Sequence, residues 1–139
     1  PMLEEFRRLA ETLSYRAPRI PLVSTVTGAA AGAAVASASY WVRQVRATVR
    51  FCDGVRTLEA LGVNTFLELG PRGTLLALVP ACVVGPQPVL LASLGGGRSE
   101  SQAMLEALSG YQVRGGAVGT ATVTGLRTKP SSALTRSMA

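Results

Sequence analysis

The stretch that most limits the fold is Asn64-Thr-Phe-Leu-Glu-Leu-Gly-Pro-Arg-Gly73, followed by a second apolar run from Thr74 to Val79. A short run of β-branched, aromatic and aliphatic residues stopped by Gly-Pro reads as a buried strand, Thr65 to Leu69, that turns at Gly73 into a helix, Thr74 to Val79. Glu68 lies on the opposite face from Leu67 and Leu69, because side chains alternate along a strand. Helix, strand and helices precede this unit; a strand, a helix and a tail follow it. Such α/β alternation favours parallel strands covered by helices.

Upstream, Pro1 to Tyr15 places Leu3, Phe6, Leu9 or Ala10, and Leu13 on one face. This is an amphipathic helix, acidic early as the helix dipole prefers. Pro18 and Pro21 close it, and Ile20 to Val26 reads as a strand with Pro21 near its start. Gly28 to Ser39 is an uncharged Ala/Gly/Ser stretch, read as a loop with at most one helical turn. Tyr40-Trp41 opens a helix with Val42, Val45, Val49 and Cys52 inward at helical spacing. Arg43, Arg46 and Arg50 share another side, either a solvated face or a docking surface for an acidic partner. Asp53-Gly54 interrupts, and Val55, Leu58 and Leu61 carry the apolar face on to a cap at Gly62.

Downstream, Pro80 stops the helix, Pro86 and Pro88 bracket a loop, and Val89 to Ala92 is a strand. Gly95-Gly96-Gly97 reads as a linker turn, since no Lys-Ser/Thr follows to make a phosphate cradle. Ser99-Glu-Ser-Gln102 has the form of a capping box, opening a helix with Ala103, Met104, Ala107 and Leu108 that ends at Gly110. Residues 117–139 contain much Ser, Thr and Gly and no acidic or aromatic residue, so this tail reads as disordered.

The chemistry is sparse. Among the 139 residues there is no His, which removes the commonest general base and the commonest metal ligand together. No Gly-x-Ser-x-Gly elbow surrounds Ser24, Ser37 or Ser39. Cys52 and Cys82, far apart in sequence and without metal spacing, read as buried small hydrophobes in a reducing compartment. Formal charge is +6, but the Arg residues are spread out, which speaks for a solvated surface over a nucleic-acid patch and leaves an acidic carrier protein as a suitable partner. No run has the length and flanks of a membrane span or a signal peptide. Catalytic and metal sites are therefore expected to be absent, as are nucleic-acid and membrane partners.

Several stretches, in the same order and near the same spacing, resemble the C-terminal part of the acyltransferase domain of modular polyketide synthases. They are Pro1-Met-Leu-Glu-Glu-Phe, Leu13 to Gly28, Tyr40-Trp-Val-Arg-Gln-Val-Arg46, Val49-Arg-Phe-Cys-Asp-Gly54, Phe66-Leu-Glu-Leu-Gly-Pro71 and Leu90-Leu-Ala-Ser-Leu94. Together with Ala107 to Gly116 they cover residues 1–116. The resemblance implies part of an α/β-hydrolase-like large subdomain over 1–94, a post-acyltransferase linker helix over 95–116 and a tail over 117–139. It also implies a family activity: loading malonyl or methylmalonyl from coenzyme A onto a Ser in Gly-His-Ser-x-Gly, then passing it to the phosphopantetheine thiol of an acyl carrier protein. The family's Ser motif, extender-binding Arg and general-base His precede the matched part, so none is expected here, and no cofactor is expected to bind this chain.

What carries over by resemblance is scaffold. Ser24, Thr25 and Val26 correspond to the family's Ser-Asn-Val near the pocket floor, with Thr25 where Asn is usual. Ala34 is placed where a backbone carbonyl orients the His, and Gln44 stands where a non-catalytic His is common. The implied partners are the rest of the acyltransferase domain, the ketosynthase of the same synthase and the carrier protein, in the cytoplasm. After Gly116-Ala-Val the family's Asp-Trp and Leu-Pro-Thr-Tyr segments do not appear, as a frameshift or truncated gene copy would produce. Two other readings follow: a non-catalytic module docking a carrier through Arg43, Arg46 and Arg50, or a relic that does not fold alone because its sheet edges and apolar faces lack cover.

Overall fold

The computed structural model describes residues 2–95, 97 and 99–116; the expected tail lies outside them. The elements run α1 (Met2–Glu11), a 3₁₀ turn (Ala33–Val35), α2 (Ala38–Gln44), α3 (Phe51–Ala60), β1 (Thr65–Glu68), a 3₁₀ helix (Leu76–Ala81), β2 (Val89–Ala92) and α4 (Glu100–Gln112). β1 and β2 are parallel, with Thr65 opposite Val89 and Glu68 opposite Ala92. The 3₁₀ helix makes the crossover between them, and α4 packs on β2. The expected mixture of helices and parallel strands is therefore present.

The strand-turn-helix unit forms, with two differences. Its helical part is 3₁₀ and runs through Pro80 instead of stopping before it, consistent with a proline that has no N–H to give to an α-helical ladder. Its opening amides are met by the strand's own acid: Glu68 Oε2 accepts from Leu75 N at 3.0 Å and Leu76 N at 2.9 Å. The turn between them is tied to the second strand, where buried Ser93 accepts from Gly70 N at 3.2 Å and donates its own N–H to Glu68 O. β1 itself is not buried. Phe66 packs on the core, but Leu67 is 46% exposed and Leu69 77%.

The helix expected from Tyr40 onward is broken elsewhere than at Asp53-Gly54. α2 ends at Gln44 and α3 begins at Phe51, because Arg50 N donates out to Thr25 O at 2.7 Å and Val45, Thr48 and Val49 are β-branched. Asp53 is instead an acidic residue of the first turn of α3, paired with Arg50 at 2.7 Å. Val42 is buried as expected, whereas Val45 and Val49 lie in the connection and are 44% and 68% exposed. Gly62, at φ +84°, stops α3 as anticipated.

Residues 20–26 do not form a strand. Val23 makes one antiparallel bridge to Ala30, and the chain turns back at once, with Ser24 N donating to Ala29 O and Gly28 N to Ser24 O. Pro18 and Pro21 supply no N–H, and among the described residues no strand lies alongside to complete a ladder. Gly28, at φ +71°, lets this turn press against α3: a Cβ there would run into the side chain of Asp53.

α4 begins where the capping box places it, with Ser99 Oγ accepting from Gln102 N. It continues through Gly110, which brings the helix close to β2: a Cβ at Gly110 would lie 2.9 Å from Leu91 Cδ2. Val55, Val79 and Cys82 form the central core, with Phe51, Cys52, Phe66, Val83 and Leu90 packed around them.

Candidate functional site

An open apolar cleft of about 220 Å³ lies between α3, β1 and the 3₁₀ helix. Phe51, Val55, Leu58, Phe66, Leu76 and Val79 supply its apolar wall, and Val23 and Thr25 close one end. Its construction follows from the elements: α3 presents Phe51, Val55 and Leu58 along one side, while β1 and its Glu68-capped crossover present Phe66, Leu76 and Val79 opposite.

Of the three residues expected at a pocket floor, Thr25 reaches this cleft. Ser24 lies behind it, 3% exposed, with its Oγ 2.6 Å from Tyr40 Oη and accepting from Val26 N at 3.1 Å. That pair holds the residue 24–26 turn onto α2. Thr25 Oγ1 accepts from Gln44 Nε2 at 3.2 Å, so the two positions that depart from the family pattern bond to one another. The Gln44 Oε1 atom is buried without a partner among the described residues.

The Ala34 carbonyl accepts from Ser37 Oγ at 2.7 Å, and Ser37 in turn caps α2 through Tyr40 N. The neighbouring Val35 carbonyl accepts from Trp41 Nε1 at 2.9 Å. In the structure these carbonyls organise the entry to α2. The three arginines are all exposed but do not make a row on one helix: Arg43 lies on α2 with its guanidinium 6.0 Å from the Tyr40 ring centre, Arg46 is in the connection, and Arg50 immediately precedes α3 and pairs with Asp53.

Two arrangements escaped the sequence reading. Glu68 acts as a helix cap reached from a strand, for which an acid seven residues before the capped amide gives no short-range signal. Cys52 and Cys82, read as unrelated, pack in one cluster because α3 and the end of the 3₁₀ helix meet there. The thiol–thiol interaction with Cys52, then burial, raise the Cys82 pKa from its ordinary 9.0; nearby Arg56 opposes the rise and Asp53 adds to it. Among the described residues no group of three or more Cys, Asp or Glu side chains could hold a metal, and no helix is long and apolar enough to cross a membrane.

Among the described residues the chain is thus an α/β arrangement of helices around two parallel strands with an apolar cleft beside them. The chain belongs to the acyltransferase domains of polyketide synthases. It is 48% identical over 118 residues to polyketide synthase GfsA of Streptomyces halstedii, an alignment covering 83% of this chain and 2% of that protein. It is 42% identical over 120 residues to the spectinabilin polyketide synthase system protein NorB of Streptomyces orinoci, covering 82% of this chain and 6% of that protein. The acyltransferase domain from the second module of the salinomycin polyketide synthase superposes with a TM-score of 0.78 at 42% identity, over 92% of this chain and 31% of that one. The acyltransferase domain of SpnD, solved in complex with 2-(pent-4-yn-1-yl)malonyl, superposes with a TM-score of 0.75 at 34% identity, over 81% and 28%. No protein-family model matches the chain. The chain thus spans a few per cent of the synthases and about a third of the solved acyltransferase domains.

Proposed function

We propose that this chain is a scaffold portion of an acyltransferase domain that moves malonyl or methylmalonyl units from coenzyme A to the phosphopantetheine thiol of an acyl carrier protein. It supplies sheet, covering helices and an apolar cleft, and no nucleophile or base. The observation that carries this reading is a close match to about a third of an acyltransferase domain in a sequence with no histidine. The large exposed apolar residues, among them Leu67, Leu69, Leu75 and Leu78 beside β1, fit a face that the remainder of the domain covers. On this reading residues 1–94 belong to the large subdomain, residues 95–116 are the helix that leads out of it, and the ketosynthase of the same synthase is a neighbour. Incubated with malonyl-coenzyme A, the isolated chain should keep its intact mass; a stoichiometric malonyl adduct would overturn the proposal.

A second reading concerns the carrier. Arg43, Arg46 and Arg50 place three exposed guanidinium groups within eight residues on a chain of formal charge +6, which suits an acidic carrier protein. Charge reversal at all three should abolish carrier binding, and unchanged affinity at low salt would dispose of the idea. Because Arg50 is engaged with Asp53, Arg43 and Arg46 should account for most of the loss.

A further inference from the structure

We propose that Cys52 and Cys82 form a redox modification site, a dithiol that closes to an intramolecular disulfide by exchange with a low-molecular-weight disulfide. The two residues are the whole cysteine complement of the chain, and both thiols are free. They are separated by 30 positions (82 − 52), yet both belong to the packing around Val55 and Val79. The elements that carry them are tied on the same side: Arg56 Nε donates to Cys82 O at 3.2 Å, and the Glu59 carboxylate accepts from Val84 N and Gly85 N. A pair of thiols packed on one core and interacting side chain to side chain, on elements joined by three polar tethers, is placed for the close approach that a disulfide requires.

The two thiols differ in access, which assigns their roles. Cys52 is half-buried and lines a surface depression with Thr48, Val49, Arg50 and Asp53, whereas Cys82 is 6% exposed. Cys52 is therefore the attacking thiolate. It bonds to one sulfur of the external disulfide and expels the other as a thiolate. Cys82 then gives up its proton and attacks Cys52 Sγ, forming the Cys52–Cys82 bond and releasing the second external thiol. In sum two protein thiols are oxidised and one external disulfide is reduced to two thiols. The bridge would join α3 to the end of the 3₁₀ helix. Phe51 and Val55 flank Cys52, and Val79 lies one 3₁₀ turn before Cys82; all three line the apolar cleft, so closure fixes the spacing of its two walls.

The test is equilibration of the full chain with mixtures of reduced and oxidised glutathione, followed by acid quench, alkylation and intact mass. The expected product has lost two hydrogens, and its formation constant exceeds that of the urea-unfolded chain by about 100-fold or more, because the fold holds the thiols together. A constant within a few-fold of the unfolded value, or a population dominated by glutathione adducts, would overturn the proposal. Two variants test the roles without relying on the bridge. Cys82→Ser should leave Cys52 carrying one glutathione, whereas Cys52→Ser should leave buried Cys82 unmodified over the same interval. Equal adduct formation on the two variants would refute the assigned order of attack.

Discussion

Residues 62–112 and residues 20–50 are held in place in different ways. In the first region β1 and β2 satisfy one another's backbone, α4 packs on β2, and Glu68 and Ser93 close the turn that leads into the 3₁₀ helix. In the second, the backbone finds one isolated bridge, a 3₁₀ turn, a helix of seven residues and scattered turn bonds, and side chains tie these pieces together: Ser24 with Tyr40, Ser37 with Ala34, Trp41 with Val35, and Gln44 with Thr25. The difference teaches that a strand is a property of a pair. Val89–Ala92 has β1 beside it and forms; residues 20–26 have a comparable composition and, among the described residues, no strand alongside.

The comparison can be broken most forcefully at the joint between α3 and the crossover. Val79 is 2% exposed in the cluster with Val55 and Cys82, so Val79→Asp buries a carboxylate with no partner and should cost more than about 4 kcal/mol. Urea unfolding with amide exchange should show protection lost from both regions together. Protection that survives in α2 while β1 and β2 open would mean that the two regions are separate cooperative units.

The next effect should be confined to one region. Glu68→Ala removes the acceptor for Leu75 N and Leu76 N and should destabilise by about 1–2 kcal/mol, the range for loss of a helix cap. Exchange should quicken at those two amides and leave Val26, whose N–H is held by Ser24, unchanged. Faster exchange at Val26 would show that the cap supports the whole chain and not the crossover alone.

What was legible follows the same division. Val89–Ala92, the Ser99 cap and the Gly62 stop are each written in residues adjacent in sequence, and each is found where the residues placed it. Gly110 was misread because a glycine late in a helix normally signals an end, whereas here it allows contact with Leu91 across space. The Cys52–Cys82 meeting, the Glu68 cap and the Thr25–Gln44 bond join residues 30, 7 and 19 positions apart, which no local pattern records. Exposure of Leu67 and Leu69 could not be read either: alternation tells which side chains share a face and not whether anything covers it. The family resemblance, by contrast, rested on short motifs in order, and the alignments and superpositions bear it out.

A smaller, pH-dependent effect should come from Cys82. Its thiol interacts with Cys52, is buried, and faces Arg56 and Asp53, with a net rise in pKa. The folded state therefore favours the protonated thiol, so this contribution is complete below the ordinary value of 9.0 and is lost as pH climbs through the raised folded value. Under reducing conditions, stability should fall more steeply above pH 9 in the native chain than in Cys82→Ala. Parallel slopes in the two proteins would remove Cys82 from the account.

The smallest effect should be at Gln44. Its Nε2 donates to Thr25, but its Oε1 is buried without a partner among the described residues, so the amide both contributes and costs. Gln44→Leu loses one neutral hydrogen bond and also removes the orphaned acceptor, and the two terms should cancel to within about 0.5 kcal/mol. Thr25→Val alone, which leaves the Gln44 donor unmet, should cost more, about 1 kcal/mol. The double variant should then be closer to the native chain than Thr25→Val is, with a coupling of about 1 kcal/mol from the cycle. A coupling near 3 kcal/mol would put this tether above the Glu68 cap. Residues 20–50 would then be the more firmly held region, and the division between the two would have to be drawn the other way.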